Sequence, residues 1–96
     1  NHSIDHMFAL VENALDRMII ILKKPGTEPN DINPSYNLEN EINNYRNELK
    51  NKNVEDINDK KYQYQDGVYY MDIISEAEKL GDYVLNVVQA VIEKKI

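Results

Sequence analysis

Two carboxylates one helical turn apart, Glu78 and Asp82, followed one turn later by the carboxamide of Asn86, are the groups of this chain best spaced for chemistry. Side chains four residues apart on a helix are neighbours, and two acids so placed repel each other by about 0.2–0.5 kcal/mol. A row of oxygen donors suits a hard or borderline cation such as Mg²⁺, Mn²⁺ or iron, and no cysteine is present to offer a thiolate. At about 100° per residue, Glu78 falls at the margin of an apolar stripe, while Asp82 and Asn86 wind away from it. Gly81 falls near the centre of that stripe. A glycine inside a helix costs about 1 kcal/mol relative to alanine, so its place there predicts the close approach of another helix.

Other candidates have simpler explanations. His2 and His6 stand one turn apart, a spacing that suits a metal, but they lie at the start of the chain, where a frayed, solvated helix end accounts for them. No Ser-His-Asp set and no glycine-rich phosphate loop can be assembled. Bundle oxidases need Glu-x-x-His on two helices, and this sequence contains none. Together these absences predict a protein that is not an enzyme. Tyr62, Tyr64, Tyr69 and Tyr70 are expected to pack a helix end with their hydroxyls toward water, since no basic groove accompanies them. Glu39, Glu41 and Glu48, like Asp72 and Glu76, read as acids on solvated helix faces.

The elements that must carry these residues follow from apolar spacing. Ile4, Phe8, Val11, Leu15, Met18 and Leu22 mark a first helix over residues 4–24, with Met7, Ala14 and Ile21 widening its stripe, Ser3 as N-cap, and Pro25 and Gly26 beyond its end. The stretch PGTEPNDINPS holds all three prolines and forms the first connection. Leu38, Ile42, Tyr45 and Leu49 mark a second helix that ends between Lys52 and Ile57. The polar stretch after it has no clear period. A third and longest helix spans residues 65–94, with Tyr70, Ile73, Ile74, Ala77, Leu80, Val84, Val87, Val88 and Val91 on its apolar side. Short connections make neighbouring helices antiparallel, so the expected fold is all-α, an antiparallel three-helix bundle with a long third helix.

Composition narrows the partners. Seventeen acids against eleven bases give a net charge of −6, and the bases are scattered, so a nucleic-acid phosphate backbone would be repelled. No run approaches the ~18 apolar residues of a bilayer-spanning helix, which predicts no direct membrane insertion. The first residue is Asn rather than Met, which predicts a segment excised from a longer chain.

The residues also carry a likeness. EKLGDYVLN, residues 78–86, resembles the motif of PhoU-like domains, in which an acid, a spacer ending in Gly, an Asp and an Asn lie on the last helix of a three-helix repeat. Glu78, Gly81, Asp82 and Asn86 match at the family's spacing. YNLENEINNYRNEL, residues 36–49, resembles the family's second helix, and the order of helices agrees along nearly the whole chain. The combination looks like the C-terminal cytoplasmic region of bacterial sodium/phosphate (Na/Pi) cotransporter-related proteins.

The resemblance implies that residues 1–96 form one PhoU-like three-helix unit, the C-terminal half of a larger domain. It implies a non-enzymatic regulatory module in phosphate transport or homeostasis, at the cytoplasmic face of the membrane, whose partner is the membrane transporter portion of the same chain or complex. Glu78 and Asp82, with Asn86 beside them, would be the ligands of a divalent metal (Fe, Mn, Mg or Zn). The departure lies on the second helix. Asn43 and Asn44 stand between Glu41 and Arg46 where the family often has acids, leaving too few carboxylates for several cations. An alternative from another class is a plain helical interaction module. In it the broad face of the first helix, with Met7, Leu10, Ala14 and Ile21, pairs with a second copy in a homodimer or with a second three-helix repeat.

Overall fold

The computed structural model describes residues 2–95. Helix α1 (His2–Lys23) leads through a 3-10 turn (Pro29–Ile32) into α2 (Asn33–Asn58), and α3 (Tyr64–Lys95) completes the chain. Among the described residues there is no strand, and the three helices pack mutually into a rod 53 Å long and 17 by 16 Å across. The all-α three-helix bundle read from the sequence is the observed fold. Its up-down-up order sets α1 and α3 parallel, with α2 antiparallel to both.

Local chemistry explains the boundaries. Pro25 and Gly26 stop α1, and the carbonyls left open at its end are taken by a side chain from the far end of the chain. Lys95 Nζ donates to the carbonyl oxygens of Ile21, Leu22 and Lys24 at 3.0, 2.8 and 2.7 Å. In the connection, Asp31 accepts from Lys24 Nζ at 2.7 Å and from the Glu28 backbone N–H at 2.8 Å. Helix α2 begins at Asn33, earlier than the proline cluster suggested, because Pro34 stands in the first turn, where its missing N–H is no loss.

At its other end α2 continues through the polar stretch to Asn58. It closes in a Schellman turn: Lys60 adopts φ 59°, its N–H donates to Ile57 at 3.0 Å, and Lys61 N–H donates to Asp56 at 2.9 Å. The stretch lacks a visible period because its inward residue is a polar one, Asn53, while Val54 faces water. Nine asparagines lie within α2. Asparagine is a poor helix former, so α2 is held by packing against its neighbours more than by intrinsic propensity.

One cluster of buried side chains runs along most of the rod: Met7, Leu10, Val11 and Ala14 of α1, Ile42 and Leu49 of α2, and Ile74, Ala77 and Val84 of α3. A second, Ile21 with Val88 and Ile92, closes the end near the 3-10 turn. This corrects the reading of α1. Met7, Leu10, Ala14 and Ile21, the face assigned to pairing, are buried in the core, whereas Phe8 and Leu22 of the expected core stripe are exposed. Apolar residues cover so wide an arc of α1 that periodicity alone does not say which part turns inward.

Asn53 anchors the junction of α2 and α3. Its Nδ2 donates to the Gly67 carbonyl at 3.2 Å, and the Tyr62 hydroxyl donates to its Oδ1. The Tyr62 hydroxyl thus turns toward a buried partner rather than water, and Tyr64 and Tyr69 are exposed rather than packed on the helix end. A Cβ added at Gly67 would lie 2.5 Å from Ile57 Cδ1 and 3.1 Å from Asn53 Oδ1, so the first turn of α3 needs glycine to approach α2.

Candidate functional site: an acidic seam between α2 and α3

The seam is set by one contact. Gly81 is buried, and a Cβ built on it would meet Ile42 Cδ1 at 3.0 Å, so the absence of a side chain lets the two backbones draw together. With Ile42 opposite Gly81 in an antiparallel pair, polar residues that flank this contact on the two helices are brought face to face. Glu39 of α2 meets Asp82 of α3, and Arg46 of α2 meets Glu78, its Nε 4.0 Å from Glu78 Oε2.

The electrostatics follow from this crowding. The carboxyl of Asp82, facing that of Glu39 within hydrogen-bonding reach, raises Glu39 above its ordinary value of 4.5, and partial burial and the charges of Asp82 and Glu78 add to the rise; Asn43 Nδ2, donating to Glu39 Oε1 at 2.7 Å, opposes it. Glu78 is raised mainly by desolvation, then by the charge of Asp82, against the attraction of Arg46. Arg46 Nε is buried without a hydrogen-bond partner, because at 4.0 Å the Glu78 carboxylate attracts it without bonding.

A raised folded-state value means that the fold prefers the proton. The contribution of Glu39 and Glu78 is therefore fully present below their unfolded value of 4.5 and is lost as pH climbs through the raised folded values. Asp31, lowered chiefly by the Lys24 hydrogen bond, works the other way: its contribution is present above 3.8 and lost as pH falls through its folded value. Thermal melts are expected to show the chain more stable near pH 5 than near pH 7.5, and Glu39→Gln combined with Glu78→Gln should flatten that slope. An unchanged slope in the double variant would remove the seam as its source.

Of the residues singled out by sequence, Glu78 and Asp82 stand together in the seam, and Asn86 lies one turn further on, exposed and outside the convergence. Glu39, Asn43 and Arg46 were missed as members. The signal was available in the register that Gly81 imposes on Ile42, but only once the two helices are paired. His2 and His6 do not join the seam; the His6 ring instead meets Tyr45 edge to face, centroids 4.6 Å apart. As donors the seam carboxylates suit a hard cation, yet among the described residues no three His, Asp or Glu side chains are set as a ready metal cage. A single cation would have to draw Glu39 and Glu78 in toward Asp82.

No curated protein and no solved structure matches the chain. A family model described as the PhoU domain matches residues 4–91, which takes in all three helices and the whole of the seam. The chain belongs to the PhoU domain family.

Proposed function

We propose that this chain is a non-enzymatic regulatory module of phosphate transport or phosphate homeostasis, acting in the cytoplasm on the membrane portion of a sodium/phosphate cotransporter in the same chain or complex. The observation that carries this reading is the family match over residues 4–91. No described helix is long and apolar enough to cross a membrane. In mechanism, the α2–α3 seam engages its ligand differently in two states of the transporter, since only differential affinity shifts such an equilibrium.

Phosphate uptake in cells lacking the gene, and in cells given it back, tests the reading. Loss should change uptake or its response to external phosphate, and uptake indistinguishable with and without the gene would end it. For the fused form, several upstream segments of about 20 apolar residues are expected in the same gene.

Glu78 and Asp82, with Glu39 beside them, are the residues proposed to hold a single divalent cation (Mn, Fe, Mg or Zn); Asn86 is the more distant candidate. Titration calorimetry with each cation should give a saturable heat that Glu78→Gln plus Asp82→Asn removes. Equal heat in the double variant would refute the assignment. The second reading, a helical interaction module without a phosphate role, is favoured by the apolar residues left exposed on α1 and α3.

A further inference from the structure

The outer groove between α1 and α3 is an apolar feature that the bundle leaves open. Phe8, Ile73 and Leu80 line a depression of about 410 Å³ with Ala77 among its walls, and they remain 47%, 43% and 45% exposed. Further along the same side of α1, at helical spacing from Phe8, Ile19 and Leu22 are exposed as well. Side chains of this size, left in a row, form a strip that a partner helix can cover through anchors at i, i+3, i+4 and i+7.

Charge states what kind of helix fits. Asp72 and Glu76 border the groove on α3. On α1 the exposed acids Asp5, Glu12 and Asp16 follow one another at seven- and four-residue spacing, so they share one side of the helix, Glu12 lying one turn beyond Phe8. Lys79, itself exposed, is bonded to Glu76 at 3.1 Å. The groove is thus an apolar strip between two acidic rows. A second copy laid on this face would set acid against acid, which disfavours self-pairing.

We propose that the α1–α3 groove docks an amphipathic helix of another protein whose apolar stripe is flanked by Lys and Arg. The proposal does not depend on the phosphate reading. Phe8 and Leu80 act as the apolar contacts, Ile73 and Ala77 form the wall between them, and Glu12 and Glu76 face the partner's cations. The acidic rows speed the encounter and reject acidic helices.

The test uses a labelled synthetic helix of about 18 residues with leucines on one stripe and lysines on both flanks, and a twin with glutamates for the lysines. Fluorescence anisotropy should show saturable, salt-sensitive binding of the lysine peptide and none of the twin. Phe8→Ser with Leu80→Ser should weaken binding about tenfold or more while the chain stays folded with its helix content intact by circular dichroism, since both side chains are about half exposed. Glu12→Lys with Glu76→Lys should reverse the preference between the peptides. Unchanged affinity in the serine variant, equal binding of the two peptides, a dimer in sedimentation that the serine variant abolishes, or adsorption of the chain to phosphatidylglycerol vesicles through this face would each overturn the proposal.

Discussion

Truncating Ile74 to alanine is expected to remove about 2–5 kcal/mol of stability. A chain of 96 residues has a total on the order of 5–15 kcal/mol, so this one change threatens the fold. Ile74 is fully buried in the main cluster with Met7 of α1 and Ile42 and Leu49 of α2, where all three helices meet. Side chains held from three directions do not readily collapse into a void, and the cost rises with the volume left empty. Thermal melts should show a drop of roughly 10 °C or more. Ile73→Ala, one residue away on the groove side, is the control. It deletes the same atoms from a half-exposed position and should lose less than about 1 kcal/mol. Equal losses at the two positions would mean that α3 is rotated from the orientation described.

The second large effect is expected at Gly81. Gly81→Leu should destabilise by about 1–3 kcal/mol or more, because a Cβ alone already stands 3.0 Å from Ile42 Cδ1 and Ile42 is itself enclosed. The gain in helix propensity, about 1 kcal/mol for replacing a mid-helix glycine, is too small to offset wedging two helices apart. Ile42→Ala in the same chain provides a space for the leucine. The pair should therefore lose less than the sum of the single changes, a coupling of about 0.5–3 kcal/mol in a double-mutant cycle. Strict additivity would show that the two side chains do not share a space. Because the same contact sets the register of Glu39 with Asp82 and of Arg46 with Glu78, Gly81→Leu should also weaken the pH dependence of stability.

Much of this was legible in the residues themselves. Apolar spacing and proline placement located all three helices to within a few positions, since each helix buries a stripe and the turn formers stand between them. Gly81 was readable because a glycine on an apolar stripe has few explanations other than a close neighbour, and Glu78 and Asp82 because their spacing is local. What escaped reading was non-local. Glu39 and Arg46 look like ordinary surface residues until α2 is laid against α3. Lys95 gives no hint in sequence that it will bond the carbonyls at the end of α1. The facing of α1 was misread because thirteen of its side chains are apolar enough to be core, and only the positions of α2 and α3 decide between Met7 and Phe8. Asn53 hid the last two turns of α2 by putting an amide where the pattern called for a hydrocarbon.

The parallel arrangement of α1 and α3 bears on the order in which the chain assembles. The two hairpins, α1 with α2 and α2 with α3, join elements adjacent in sequence through short connections, and closing short loops is entropically cheap. Contact between α1 and α3 brings together segments some seventy residues apart, Met7 with Ile74 among them, and its loop entropy must be met before that contact rewards the chain. The seam between the first and last helices is therefore expected to form late. Defects in it, the Ile74 truncation included, should then appear as faster unfolding more than as slower folding.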